Sequence, residues 1–192
     1  ANTATPTVNP VTTTLYHVQS NEQGCINTDS VQGRVVSFVT LNARADTLIC
    51  LTDSIRLTVV SDGLQYIWTP AATLNDPTVK EPVATPTAVS TLYHVIASIG
   101  TCTADDFVTI TTSPYPVANA GPDDTICYNH PAYLHGSHNA NTFTWSPAGS
   151  LINANTLDPV AYPPRTMEYI LSVLNDPLLG GCPKPSSDTV LI

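Results

Sequence analysis

The sequence predicts an all-β chain built from tandem antiparallel β-sandwich repeats of about 77 residues. The first reason is a repeated motif, because Trp-Thr-Pro-Ala at 68–71 recurs 77 positions later as Trp-Ser-Pro-Ala at 145–148, and Cys50 recurs as Cys127 at the same spacing. A fixed period of this kind marks an array of similar structural units. The second reason is composition, since 17 prolines and only 11% charged residues favour strands and turns over helices.

Three copies of the repeat can be placed along the chain. Residues 46–122 are a complete repeat, and residues 123–192 are a third repeat. Residues 1–45 are the C-terminal half of a truncated repeat plus a linker, because Cys25 aligns with Cys102 of the complete repeat. We therefore expect the chain to be a segment of a longer protein, in which each complete repeat is long enough to bury a core of its own.

The complete repeat is expected to contain about seven short strands. The stretch Ser54–Val59 alternates polar and apolar residues, which is the pattern of a half-buried strand. The Pro-rich stretch 70–86 is expected to be irregular with one or two edge strands, and Ser113–Pro116 to be a stiff linker. No helix of ten residues is expected. The main predicted strands of this repeat are Asp46–Cys50, Ser54–Val59, Leu64–Thr69, Ser90–Ser98 and Ala104–Thr112.

Four aromatic residues that recur in register are predicted core residues. They are Trp68, Trp145, Tyr93 and Tyr169. One tryptophan on a strand of each repeat is typical of a two-sheet sandwich, in which the indole packs between the sheets. The alternative is an exposed indole that stacks on sugar rings.

The charge balance excludes several classes of partner. Fifteen acidic residues against six basic ones give a formal net charge of −9, and no basic stripe is present. Nucleic acids and anionic membrane surfaces are therefore poor partners. No apolar run in the sequence is long enough to span a bilayer, so no membrane span is expected in this segment.

Five cysteines occupy two repeat-equivalent positions and indicate an oxidising, extracellular setting. Cys50 and Cys127 precede the first core strand of their repeats, whereas Cys25, Cys102 and Cys182 follow the turn of the last hairpin. No Cys-x-x-Cys pair is present, which argues against a structural zinc site.

Two disulfide schemes fit these positions. One pair per repeat gives Cys50–Cys102 and Cys127–Cys182, with Cys25 left over, and this is the scheme we expect. Strand length argues against it, because a strand of about ten residues separates the two ends of an ordinary sandwich by roughly 30 Å, and a disulfide needs Cα atoms within about 7 Å. In a head-to-tail stack the alternative is a Cys50–Cys182 bridge between neighbouring repeats, with the other three cysteines paired outside this segment.

One ordered set of motifs runs through both full copies. In the third repeat it is Gly-Pro-Asp-Asp-Thr-Ile-Cys at 121–127, Trp-Ser-Pro at 145–147, Pro-Val-Ala at 159–161, Tyr169 and Gly-Cys at 181–182. This order resembles the PKD-like and Ig-like tandem repeats of large Bacteroidota cell-surface adhesins. The resemblance implies Ig-like sandwiches, a location at the cell surface and export by the type IX secretion system, as in adhesins of gliding and predatory forms.

The tripeptide Asp-Ser/Thr-aliphatic recurs in the chain and is similar to the O-glycosylation signal of such secreted proteins. The same tripeptide is also a common way for a turn to enter a strand. Both readings stay open. The candidate glycosylation residues are Ser30, Thr47, Ser54, Thr125 and Thr189.

Metal binding and catalysis are the weaker alternatives. The histidines His130, His135 and His138 lie near one another in the third repeat only, so a metal site there would not be a property of the repeat. Carboxylates at 76, 105–106 and 123–124 are candidates for Ca²⁺ at the repeat junctions, although no Ca²⁺-loop motif is present. No nucleophile or metalloprotease motif occurs, so we expect neither an enzyme nor a bound cofactor.

These observations predict a structural segment of a long extracellular adhesin or fibrous surface appendage. It would act as a spacer or stalk in surface attachment, gliding or prey capture. The expected partners are neighbouring repeats of the same longer chain and identical chains in a bundle or filament. The alternative is a set of carbohydrate-binding accessory repeats of a secreted polysaccharide-degrading enzyme.

Overall fold

The computed structural model describes residues 5–192, in which the regular elements are β-strands and short 3-10 turns. The all-β prediction is therefore confirmed. Strands β1 (Thr14–Glu22) and β2 (Cys25–Gly33) form an antiparallel hairpin whose side chains are nearly all exposed. The three 3-10 turns are Ala71–Thr73, Ala148–Ser150 and Pro177–Leu179.

The middle sandwich consists of residues 39–113 and has two layers. One layer is a four-stranded sheet in the order β4-β10-β9-β7, and the other is made of the pairs β3–β6 and β5–β8. Its strands are β3 Leu41–Ala43, β4 Thr47–Cys50, β5 Ile55–Arg56, β6 Val59–Ser61, β7 Gln65–Thr69, β8 Val83–Ala84, β9 Ser90–Ile99 and β10 Cys102–Ser113.

The core of the middle sandwich forms around Trp68 on β7. The indole is fully buried, together with Tyr93 and Val95 of β9 and Val108 of β10. Alternate residues of β9 and β10 point inward, which is the period of a strand with one face on the core. Burial of these apolar side chains drives the packing of the two layers at about 25 cal/mol per Å² removed from water.

The last sandwich consists of residues 117–192 and repeats this plan. Its sheets have the orders β14-β17-β18 and β12-β16-β15, with a further pair β11–β13. Its strands are β11 Ala118–Asn119, β12 Ala132–Tyr133, β13 Ser137–His138, β14 Thr142–Ser146, β15 Leu151–Ile152, β16 Val160–Ala161, β17 Glu168–Leu174 and β18 Ser186–Leu191. A second, separate core surrounds Trp145, Tyr169 and Leu171.

The two sandwiches share individual contacts as well as strand order. The Tyr93 hydroxyl lies 2.6 Å from Thr73 Oγ1, and the Tyr169 hydroxyl lies 2.7 Å from Ser150 Oγ at the equivalent place. The backbone amides of Ala43 and Ala120 likewise each donate to an aspartate on the last strand, both at 2.8 Å. The chain thus contains tandem Ig-like β-sandwiches.

Two elements differ from the sequence-based expectation. The single strand predicted over Ser54–Val59 is two strands, β5 and β6, because Ile55 pairs with β8 of one pair and Val59 with β3 of another. The fold is also not wholly antiparallel, since β4 runs parallel to β10 with Cys50 opposite Ser113. Strand period alone does not specify which neighbour a strand selects.

Candidate functional site: the junction between the two sandwiches

A disulfide bond joins the two sandwiches to each other. Cys50 lies at the C-terminal end of β4 in the middle sandwich, and Cys182 lies between β17 and β18 in the last sandwich. Their Cα atoms are 4.8 Å apart, their sequence separation is 132, and both residues are fully buried. The alternative scheme of the sequence analysis, a bridge between neighbouring repeats, is the one that the structure contains.

The expected pairs Cys50–Cys102 and Cys127–Cys182 are therefore wrong. The physical reason is visible along β10, where Ser113 lies opposite Cys50 and Cys102 begins the same strand. Eleven residues of extended strand separate these two positions by about 36 Å. A disulfide within the sandwich would need the two Cα atoms to be within about 7 Å.

Polar contacts next to the bridge also connect the two sandwiches. Lys184, two residues after Cys182, places its Nζ 2.7 Å from Oδ2 of Asp53, three residues after Cys50. The hydroxyl of Tyr115, in the linker, donates to Oδ1 of the same carboxylate at 2.8 Å. The hydrogen bond from Lys184 and then that from Tyr115 hold the pKa of Asp53 below its ordinary value, and the Asp53 contact raises the pKa of Lys184. Asp53 belongs to a recurring Asp-Ser/Thr-aliphatic tripeptide and Tyr115 to the predicted linker, but no sequence signal indicated that these two residues and Lys184 would meet.

The remaining three cysteines carry free thiols in this chain. Cys25 and Cys127 are exposed, whereas Cys102 is half-buried with its Sγ 3.6 Å from the carbonyl oxygen of Val36. Cys25 and Cys102 lie at hairpin tips like that of Cys182, and Cys127 is the equivalent of Cys50.

The turn after Cys127 has the backbone of the turn after Cys50. The amide of His130 donates to the carbonyl of Cys127 at 3.0 Å, and the amide of Asp53 donates to that of Cys50 at 3.0 Å. The residue before the donor has a positive φ in each turn, 65° at Asn129 and 78° at Thr52. The turn after the cysteine is thus shared, but Cys50 is buried at the end of β4, whereas Cys127 is exposed and follows no assigned strand.

The four predicted core aromatics are all buried. Trp68, Tyr93 and Tyr169 have no exposed surface, and Trp145 is 4% exposed. Both indole Nε1 atoms lack a hydrogen-bond partner among the described residues, so the two tryptophans share even this feature. An indole in such a position cannot stack on a sugar ring.

The candidate glycosylation residues lie in different environments. Four of them are exposed, namely Ser30, Ser54, Thr125 and Thr189. The Oγ of Ser54 also lies 2.7 Å from Thr85 Oγ1. Thr47 is half-buried, and its hydroxyl donates to the carbonyl of Ala45 at 2.9 Å. Glycosylation of these residues stays a prediction.

The candidate metal ligands are engaged separately. His135 Nδ1 lies 3.0 Å from Asp158, whereas His138 Nδ1 accepts from the amide of Ala140 at 3.1 Å. Within residues 5–192, no three histidine, cysteine or acidic side chains are grouped so that they could hold a metal ion.

Asp123 and Asp76, two of the aspartates considered for Ca²⁺, accept hydrogen bonds from backbone amides, whereas Asp105 lies 3.1 Å from His94 Nε2. Asp123 accepts from the amide of Leu191 at 2.8 Å, and Asp76 accepts from the amide and hydroxyl of Thr78 at 2.9 and 2.7 Å. Each of these carboxylates thus serves a local turn or strand end.

Comparisons with known proteins show likeness to Ig-domain structures. No family model and no curated protein sequence matches the chain. The extracellular domains 3–5 of Drosophila OTK are similar at 10% identity and a TM-score of 0.44, over 92% of this chain and 69% of that one. An I-band fragment of titin is similar at 11% identity and a TM-score of 0.42, over 93% of this chain and 73% of that one. The insect immune protein hemolin is similar at 10% identity and a TM-score of 0.42, over 92% of this chain and 55% of that one. Across residues 5–192 there is no helix long and apolar enough to cross a membrane.

Proposed function

We propose that this chain is a structural segment of a long extracellular adhesin or fibrous cell-surface appendage. The observation that carries the proposal is the Cys50–Cys182 bridge, because it joins two sandwiches and does not stabilise either one internally. A disulfide also supports a secreted or cell-surface location, since disulfides persist in oxidising compartments. The role of such a segment is to set reach and stiffness in surface attachment, gliding or prey capture.

The bridge stiffens the junction because it adds a second covalent connection. The first connection is the linker at 114–116, which leaves β10 at Ser113, and the second leaves the adjacent strand at Cys50. A single short linker permits rotation about its own bonds, whereas a second tether that ends at Cys182 removes most of that rotation. The linker itself is restricted by Pro114 and Pro116.

Small-angle X-ray scattering of the isolated chain tests the proposed stiffness. We expect the oxidised chain to scatter as one extended rigid particle, and the Cys182→Ser variant to show a broader distribution of interdomain distances. The matched control is Cys127→Ser, which removes an exposed thiol outside the junction and is expected to scatter like the parent chain. Equal distance distributions for all three proteins would contradict the proposal.

The partners that this proposal names are neighbouring sandwiches of the same type. The matching turns after Cys50 and Cys127 support it, because each cysteine is followed by a turn with the same hydrogen bond and the same positive φ. We propose that Cys127 bonds to the hairpin cysteine of a following sandwich, and Cys102 to the β4-end cysteine of a preceding one. Non-reducing peptide mapping of the native protein tests this, and alkylation of both as free thiols would refute it.

The finer assignment is to PKD-like repeats of Bacteroidota adhesins exported by the type IX system, with O-glycosylation at the Asp-Ser/Thr-aliphatic sites. Its support is the motif order at 121–127, 145–147, 159–161 and 181–182.

Carbohydrate-binding accessory repeats remain the rival class, but burial of Trp68 and Trp145 removes the aromatic residues on which that interpretation depended. Glycan-array binding by the isolated chain would favour the rival.

A further inference from the structure

The disulfide closes a covalent loop that contains parts of both sandwiches. The bonded residues Cys50 and Cys182 are 132 positions apart. Within the loop lie β5–β10 of the middle sandwich, the linker at 114–116 and β11–β17 of the last sandwich. Outside it lie the N-terminal hairpin, β3 and β4 on one side, and β18 on the other.

We propose that, when the chain is pulled at its ends, this bridge transmits the force directly from Cys50 to Cys182. The linker and most of both sandwiches are then bypassed by the applied force. A chain pulled at its two ends transmits force along its shortest covalent path. With the bridge intact, that path runs to Cys50, crosses the two sulfur atoms, and continues from Cys182 through β18. The backbone of residues 51–181 then carries no end-to-end extension, whether or not its sandwiches remain folded.

The position of the bridge across the junction is what gives this effect. A disulfide within one sandwich would protect that sandwich alone and would leave the linker on the force path. The Cys50–Cys182 bond instead takes the linker off the force path as well. The inference rests on the structural role proposed above and assigns to that role a specific resistance to lengthening.

The protected length follows from the size of the loop. A fully extended chain spans at most about 3.5 Å per residue. The loop of 132 positions therefore holds back about 460 Å of extension. The residues outside the loop, 5–50 and 182–192, can supply only about 200 Å when fully drawn out.

Only short elements remain on the force path within the sandwiches. In the middle sandwich they are β3, paired with β6, and β4, paired with β10. In the last sandwich only β18, paired with β17, is loaded. Tension can detach these strands from the sheets, but it cannot draw the strands within the loop apart along the chain.

Single-molecule force spectroscopy on the whole chain, with handles at its two termini, tests the inference. In oxidising buffer we expect the total unfolding extension to stop near 200 Å. Dithiothreitol added while force is held should then release further steps that total about 460 Å of extension. In the reduction one thiolate of the reagent attacks a sulfur of the bridge and its second thiol completes the exchange, so both cysteines leave as thiols and the reagent as its cyclic disulfide.

The measurement is made on single molecules before and after reduction, so it does not depend on a variant that folds poorly. The control is Cys102→Ser/Cys127→Ser, which keeps the bridge and should give the same two stages. Extension well beyond 200 Å before the reductant is added would overturn the inference, and so would the absence of a step after it. If scattering shows a stiff particle but the unreduced chain still extends fully under force, the proposed force path is refuted. The proposed structural role would then remain intact.

Discussion

Removal of the bridge should strongly destabilise the pair of sandwiches. In the chain-entropy model, a disulfide restricts the unfolded chain by an amount that grows with the logarithm of the closed loop. For a separation of 132 positions this restriction corresponds to about 5 kcal/mol at 25 °C. We therefore expect Cys50→Ala/Cys182→Ala to lose about 3–5 kcal/mol, the lower value allowing for the shortfall commonly observed in experiments.

Equilibrium unfolding in urea, followed by tryptophan fluorescence, measures this loss. One tryptophan lies in each core, so the signal reports on both sandwiches. With the bridge intact, parts of both sandwiches stay within one closed covalent loop even when one sandwich unfolds. The Cys50→Ala/Cys182→Ala variant has no such loop, so its two sandwiches should unfold in two separable transitions. The matched control is Cys102→Ser/Cys127→Ser, which leaves the bridge in place. A loss below about 1 kcal/mol, or an equal loss in the control, would refute the entropic argument.

Three further outcomes are expected. Trp68→Ala and Trp145→Ala should each cost about 3–5 kcal/mol in urea unfolding, because each removes a buried indole and leaves a cavity; a loss in one sandwich only would contradict their equivalence. The pKa of Asp53 is lowered from 3.8 in the folded chain, so ionised Asp53 stabilises the fold above that pH and this contribution is lost as the pH falls through the folded-state pKa. Urea unfolding between pH 2 and 7 should therefore show a smaller loss at acid pH for Asp53→Asn than for the parent, and parallel curves would argue against the Lys184 contact. Intact-mass measurement of the native protein should exceed the polypeptide mass by whole glycans, and a bare mass would retire the glycosylation proposal.

The repeat made much of the fold predictable. Because the motifs recur in the same order and at nearly the same spacing in both copies, one interpretation of the pattern could be applied to each copy. The tryptophans and the core tyrosines are buried in both sandwiches, and the last hairpin is present in both. The hairpin turn was the strongest local signal, since Gly100 with its φ of 59° separates two long alternating strands. Local periodicity and turn chemistry specify such elements directly.

Choices between distant partners could not be predicted in the same way. Leu57 and Thr58 interrupt the stretch that alternates from Ser54, because its two halves pair with different neighbours. The disulfide depends on the same kind of information. Cys50 can reach Cys182 because successive sandwiches stack end to end, and sequence spacing within one repeat contains nothing about that stacking.

The junction combines one feature that the repeat shares and one that it does not. Cysteines occur at the equivalent positions of the other copies, but position 130, the equivalent of Asp53, is His130. Likewise the residue two positions after the hairpin cysteine is Lys184 here and Ala104 in the middle sandwich. The covalent link can thus be common to an array, whereas the ion pair distinguishes this junction from the others.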